Sequence, residues 1–319
     1  MLPGYGRSFK WRASLLVLGR PHPVLMLAVL VIVSIGIGCE SVTRTASDDE
    51  APMRPGSAVE WAELVEFQNQ RLGLLDLLTS AGTITIDMRD EDDRMQREQA
   101  DHRLWRGGAT KTAIKISKLG STLLSAAWNG PCWWVFDESG DDVTLRIRDA
   151  SSSAAKAGVD RLLAPPILMA MIGLIPFPVE VPDDFSASSE GFRFTLGEVA
   201  LGFDRQDESV AFPGRLKIRV RRPIDGPASV QLLSNSGIEV AQSELSKFNS
   251  VDRIGSAPGA WPRMPYRIEI RHGRGERVVM SFDAPIAGGR ISERLFDLEV
   301  QIARSNPVRI DDARGAETK

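Results

Sequence analysis

This chain is poor in the residues from which catalytic and metal sites are built. Its 319 residues include three histidines and two cysteines. His22, His102 and His272 lie far apart, and none has a partner at metal-ligand spacing. No glycine-rich phosphate loop opens a helix, and no nucleophile elbow is present. The chain is therefore not expected to be an enzyme or to carry a cofactor or metal. Cys132 has no catalytic histidine in sight and reads as a small buried hydrophobe. With Cys39 spoken for below, no disulfide is left to form, so the domain must be held by its core.

Long apolar runs are equally scarce. There is one, Pro23–Gly38 (PVLMLAVLVIVSIGIG), and it carries no charge. Arg7, Lys10, Arg12 and Arg20 precede it, with no acidic residue among them. A basic stretch, an apolar stretch and small residues at the boundary make an export signal over residues 1–38. Cys39 follows Gly36-Ile37-Gly38 directly, which makes it the candidate lipidation site of a lipoprotein. Gly36 stands where a typical lipobox has leucine. The alternative is an uncleaved signal anchor, although a run of about 16 residues is short of the ~20 that span a bilayer. Either reading puts the remainder outside the cytoplasm, tethered at its N-terminus. Past the leader, 35 basic residues face 42 acidic ones, a net charge near −7. That balance argues against nucleic acid and against a general anionic-lipid surface.

A hydrophobic content of 43% is ample for a core. Residues 39–56 are polar, contain prolines and have no apolar period, so they read as a flexible tether. Ser57 and Glu60 have capping-box spacing, and Trp61, Leu64, Val65, Gln68, Leu72 and Leu75 follow at helical intervals. This helix should end near Leu78. From Gly82 the period becomes two. It recurs in Thr83–Arg89, Ala113–Lys118, Val143–Arg148, Leu216–Arg221, Arg267–Arg271 and Leu295–Ala303. Phe192–Leu196, 199–203 and Ser229–Leu233 also look like strands, and Ile238–Phe248 is ambiguous. One apolar face and one polar face mark an antiparallel sheet with a solvated side. Asp90–Asp93, Asp183-Asp184 and Asp311-Asp312 read either as solvated tips or as carboxylate clusters; EF-hand spacing is missing.

Residues 154–163 can form a helical turn or two, ahead of Pro165-Pro166, Ile167–Ile175 and Pro176. A short helix that is apolar all round needs apolar surroundings, and it is expected to lid the concave face of the sheet. The expected fold is thus mostly β, an antiparallel and strongly curved unclosed barrel with an N-terminal helix and this mid-chain lid. Residues 57–303 form the domain and 304–319 a loose polar tail. Trp105, Trp128, Trp134, Leu163, Ile167, Leu168, Met171, Ile172, Leu174 and Ile175 are the candidates for a hydrophobic acyl-chain cavity; the plainer reading of each is core.

In order and punctuation, Trp61–Pro285 resembles the LolA/LolB superfamily of periplasmic lipoprotein carriers, most of all its LolB-type outer-membrane receptor branch. The local match is Ser117-Lys118-Leu119-Gly120-Ser121-Thr122, similar to a Leu-Gly-Ser-Thr loop of that branch. Ala170–Pro176 resembles the family's lid helix, and Trp261–Pro285 its late strands. Residues 185–249 are longer than the family pattern, and 295–319 extend past its usual end. The resemblance implies an unclosed barrel that holds acyl chains under helices without a cofactor. It implies a membrane-facing loop with Leu119 at its tip, where the plain reading is a strand-end leucine. Implied partners are lipid acyl chains or acylated lipoproteins, a periplasmic carrier protein and an outer membrane reached through the N-terminal lipid, with the chain itself monomeric.

Overall fold

A computed structural model of the chain describes residues 51–89, 93–149, 164–197, 214–234, 236–272 and 275–314. The leader, Cys39, Leu163, the helical turn expected over 154–163 and the strand expected over 199–203 lie outside the described residues. So does most of the Asp90–Asp93 run.

The chain starts with a short strand, β1 (Arg54–Pro55), and helix α1 (Ala58–Leu74). An antiparallel meander follows: β2 (Leu78–Arg89), β3 (Met95–Arg106), β4 (Lys111–Lys118), β5 (Ser121–Asn129), β6 (Cys132–Asp137) and β7 (Thr144–Asp149). Helix α2 (Pro165–Met171) interrupts the strands. The second set is β8 (Ser186–Ala187), β9 (Gly191–Leu196), β10 (Arg215–Arg221), β11 (Pro227–Leu233), β12 (Glu239–Ser250), β13 (Asp252–Arg253), β14 (Arg263–His272) and β15 (Glu276–Ala287). Helix α3 (Leu298–Ser305) and β16 (Arg309–Asp312) close the described chain.

All these strands make one large curved sheet that does not close into a barrel. Its order is β1-β8-β9-β10-β11-β12-β14-β15-β2-β3-β4-β5-β6-β7-β16, with β13 off this path against β15. The two meanders meet where β15 pairs antiparallel with β2, Met280 opposite Ile84. Alternation fixes the inner face: Ile84, Leu104, Ile114, Leu232, Ile268 and Met280 are buried, as are Trp61, Leu64 and Leu72 of α1, and Trp61 lies against Phe194 of β9. Helix α1 begins as its sequence dictates. The Ser57 hydroxyl accepts from the Glu60 N–H, and the Glu60 carboxylate accepts from the Ser57 N–H at 3.0 Å.

Several expectations need correction. Helix α1 stops at Leu74, and Leu78 already begins β2, because buried Arg106 donates to the Leu72 and Leu75 carbonyls and takes up the helix end. The tether does not run free to residue 56. Arg54–Pro55 pairs with Ser186–Ala187, and Arg54 grips Glu60 at 2.7 Å. Ile238–Phe248 resolves into β12. Leu295–Ala303 is not a strand: Glu293–Phe296 is a 3-10 turn and Leu298–Ser305 is α3. Asp297 caps α3 by accepting from the Val300 N–H, and Asn306 ends it in a left-handed conformation. Past the helix the tail is not loose, since Arg309–Asp312 runs parallel to β7 and Arg148 binds Asp311 at 2.7 Å.

Candidate functional site

The concave face and its lid are built from three parts: the inner face of the sheet, α2, and the strap of chain after α2. The Pro165-Pro166 pair starts α2, and the missing N–H groups cost nothing in a first turn. The helix ends in a Schellman arrangement. Gly173 takes φ +72, its N–H donates to the Ala170 carbonyl, and the Leu174 N–H donates to the Met169 carbonyl. Every residue of α2 is buried, and Leu168, Ala170 and Met171 have no exposed surface at all. The helix contacts β4, β5 and β11. A Cβ on Gly173 would come within 2.9 Å of Leu245 Cδ2 and 3.3 Å of Pro227 Cγ, so this end of the lid fits the sheet closely.

Helix α1 holds the strap by its side chains. Gln68 Nε2 donates to the Gly173 and Ile175 carbonyls at 3.2 and 2.7 Å. Arg71 Nη2 donates to the Gly173 carbonyl at 2.6 Å, and Nη1 to the Arg263 carbonyl at 3.1 Å. Asn69 both donates to the Phe177 carbonyl and accepts from its N–H. Trp61 Nε1 donates to the Val179 carbonyl at 3.2 Å. Carbonyls 173, 175, 177 and 179 thus face α1 at the period of an extended chain, and side chains take the place of a neighbouring strand. Burial lowers the Arg71 guanidinium to about 9, with Arg106 adding to the effect and Asp225 opposing it. Below the strap, Trp61 lies edge-on to Phe194 and Phe185, with Phe177 stacked beside it.

The expected cavity residues divide between two faces. Ile167, Leu168 and Met171 lie on α2, and Ile172, Leu174 and Ile175 follow it in the turn and strap rather than in the helix. Trp128 is buried on the concave face, opposite Trp133 and Thr112 in the strand registers. Trp134 pairs with Ala127 and so points the other way. Trp105 and Trp134 belong to a separate core on the outer face, with Ala113, Cys132, Phe136, Leu145, Ile147, Phe296, Leu298 and Ile302. The C-terminal turn and α3 cover this face, so Trp105 and Trp134 lie outside the concave face. Burial pushes the Cys132 thiol up, as suits a member of that core.

Among the described residues, His102 Nδ1 and Thr112 Oγ1 are buried side-chain atoms without a hydrogen-bond partner. The other His102 nitrogen, Nε2, lies 3.1 Å from the Ser281 carbonyl and so carries the proton of the neutral ring. Sequence reading missed Gln68 and Arg71 as functional residues. Their signal was a polar pair on the apolar stripe of α1.

Leu119 is the tip of the β4–β5 hairpin and is 96% exposed. Leu119 and Gly120 both have positive φ, +52 and +85, the geometry of a two-residue hairpin turn that favours asparagine-glycine. A leucine there is strained and solvated at once. Beside it, Lys118 is paired with Glu98. No described helix is long and apolar enough to cross a membrane.

Fold and site define an open, lidded half-barrel with an inner face gripped by α1 and an outer face partly sealed by α3. No family model matches the chain, and no curated protein matches it. Solved structures are similar to it. One is a LolA superfamily protein from Nitrosomonas europaea, 14% identical over 74% of this chain and 98% of that one, with a TM-score of 0.45. A DUF1329 family protein from Desulfovibrio piger is 12% identical over 76% and 99%, with a TM-score of 0.47. An outer membrane lipoprotein-sorting protein domain from Vibrio parahaemolyticus is 9% identical over 76% and 99%, with a TM-score of 0.42.

Proposed function

We propose that this protein is a lipid-anchored component of the bacterial envelope that binds acyl chains and receives or inserts acylated lipoproteins at a membrane. The observation that carries the reading is the lid. A helix with no polar side chain covers the inner face of an open sheet. Its strap is held by side-chain hydrogen bonds from α1 rather than by a strand ladder. Such bonds exchange with water one by one, whereas a ladder opens as a block, so the lid is the element best suited to lift.

Acyl chains would then lie between α2 and the sheet, against Trp128, Ile167, Leu168, Met171, Ile172, Leu174 and Ile175. Each buried methylene contributes about 0.8 kcal/mol. Leu119 would face the membrane during delivery, and Cys39 would carry the anchoring lipid in the outer membrane. A periplasmic carrier would supply the cargo, and transfer down an affinity gradient needs no energy source in this chain. Export, lipid anchoring and carrier function fit together without a catalytic centre.

A second reading has its own support. The close fit of Gly173 against Leu245 and Pro227 suits a lid that stays packed, as in a structural or interaction lipoprotein on the same fold. Mass spectrometry of lipid retained by detergent-free protein separates the two. Co-purified acyl lipid, or saturable binding of a diacylated lipopeptide, supports the carrier. An empty protein that binds no lipopeptide supports the second reading and sinks the first.

A further inference from the structure

At the end of the concave face nearest the α1 C-terminus, one row of side chains across three strands is not wholly apolar. Arg106 of β3, Thr112 of β4 and Trp128 of β5 stand opposite one another in register, so their side chains share the inner face. Only 5% of Arg106, none of Thr112 and 1% of Trp128 is exposed. The Thr112 hydroxyl has no hydrogen-bond partner among the described residues. Arg106 bonds from one nitrogen. Its Nη1 donates to the Leu72 and Leu75 carbonyls at 3.3 and 3.2 Å and reaches Asp76 Oδ1 at 3.5 Å. Among the described residues no bond leaves Nε or Nη2. That edge of a guanidinium takes a carboxylate or phosphate side-on, through two parallel N–H groups. Trp128 Nε1 already donates to the Gly130 carbonyl at 2.8 Å, so its ring offers apolar surface.

Charge is the second observation. Arg71 of α1 is also buried, and close enough that Arg106 contributes to the lowering of its pKa. Neither carboxylate beside them is a close partner. Asp76 is half-exposed and 3.5 Å from Arg106, and Asp225 is held by Arg263 at 2.6 Å. Burying a cation is costly unless a counter-charge comes with it. The next row along the strands, Leu104, Ile114 and Ala126, is apolar and buried, and α2 lies against β4 and β5. A cationic end followed by an apolar bed is the complement of an amphiphile with an anionic head.

We propose that Arg106 and Thr112 form a head subsite for an anionic single-chain lipid, a ligand distinct from the acylated protein cargo above. Its carboxylate or phosphate oxygens accept from Arg106 Nε and Nη2 and from the Thr112 hydroxyl, and its chain runs over Ile114 and Ala126 beneath α2. The proposal rests on the acyl-chain cavity of that reading and names the head group that one end of the cavity selects.

The test is calorimetric titration of the full chain, freed of lipid, with palmitate, with palmitoyl lysophosphatidic acid and with hexadecanol, which has the chain without the charge. One or both anionic lipids should bind roughly tenfold or more tightly than hexadecanol, and the tighter of the two assigns the head as carboxylate or phosphate. Thr112→Val removes an unpartnered hydroxyl at nearly constant shape. Its thermal unfolding midpoint should hold or rise, while the preference for the anionic lipid falls about three- to tenfold. Arg106→Gln should abolish the preference. Equal or absent binding of the free lipids, in protein that still binds a diacylated lipopeptide, overturns the head subsite and leaves the cavity standing. So does a preference that Thr112→Val leaves intact. A midpoint that falls in Thr112→Val shows a hydroxyl that serves the fold, and this also overturns the subsite. Failure to bind the lipopeptide and every free lipid refutes the cavity itself, and the subsite falls with it.

Discussion

Replacing Arg71 by methionine tests whether the lid has an opening of its own. Arg71 makes three hydrogen bonds, to the Gly173 carbonyl at 2.6 Å, the Arg263 carbonyl at 3.1 Å and Gln68 Oε1 at 3.1 Å. Bonds from a charged donor contribute about 1.5–3 kcal/mol each, so roughly 5–9 kcal/mol is lost with the guanidinium. Against this stands the cost of burying the charge. A guanidinium brought from 12.5 to about 9 carries a penalty of roughly 5 kcal/mol, which methionine does not have. The Arg263 carbonyl loses this donor, while the Gly173 carbonyl keeps Gln68. The global unfolding free energy should therefore fall by only about 1–3 kcal/mol in urea titrations. The lid should respond more sharply. The amides of Ile172, Gly173 and Leu174, bonded to the carbonyls of Leu168, Ala170 and Met169, should exchange hydrogen roughly 10–100-fold faster by local opening. Lipopeptide uptake should accelerate with them. If these amides exchange only at the rate of global unfolding in both proteins, the strap is ordinary core and the reasoning fails.

Four further perturbations follow from the same contacts. Leu119→Gly removes a solvated leucine from a left-handed turn, so unfolding should be unchanged or up to about 1 kcal/mol more costly, while lipopeptide delivery to vesicles is lost. Retained delivery would remove Leu119 from the mechanism. Leu168→Ala, at a site with no exposed surface, should cost about 2–5 kcal/mol by thermal or urea unfolding; a loss below about 1 kcal/mol would mean that α2 packs loosely. The Glu60 carboxyl is held at about 2 by the Arg54 guanidinium and the Ser57 N–H, well below its unfolded value of 4.5. Its contribution is complete above pH 4.5 and drains away as pH falls towards 2, so wild type should lose more stability across that window than Glu60→Gln. Burial keeps His102 neutral below its ordinary 6.5. The unfolded chain protonates first, so stability should fall as pH drops below 6.5, and His102→Gln should flatten that slope.

What the sequence made legible is what short range decides. The Ser57–Glu60 cap and the Pro-Pro start of α2 depend on neighbours in the chain, and both appear where their residues stand. Strand alternation told which residues share a face within a strand. It could not tell which faces coincide between strands, because that is a matter of register. Trp128 pairs with Trp133, so Trp134, one residue further, is turned to the opposite side. The C-terminal misreading has a similar origin. Leu298, Val300 and Ile302 alternate as in a strand, yet Leu298 and Ile302 are also four apart, and the Asp297 cap with the outer-face core selects the helix. The strap lay beyond reach because its partners are over a hundred residues away in sequence.

The two wings of the sheet are finished differently, and the difference bears on how a lid can move. In β6 every residue from Cys132 to Phe136 is buried, since α3 and its turn cover one face and the interior covers the other. In β10 burial alternates strictly, and the outer face is a row of cations. A lid that lifts from β4 and β5 exposes apolar surface there. This wing has its own core on the outer face, built from Trp105, Trp134, Phe136, Phe296 and Leu298. If the lid lifts as proposed, the outer core under α3 would hold its wing together, while the β9–β10 wing keeps α1 and its aromatic cluster. Deleting residues from Leu298 onward should accordingly destabilise β4–β7 far more than β9–β12, read by hydrogen exchange strand by strand. Equal loss in both wings would show that the sheet is one cooperative unit and that the outer core has no special part in lid motion.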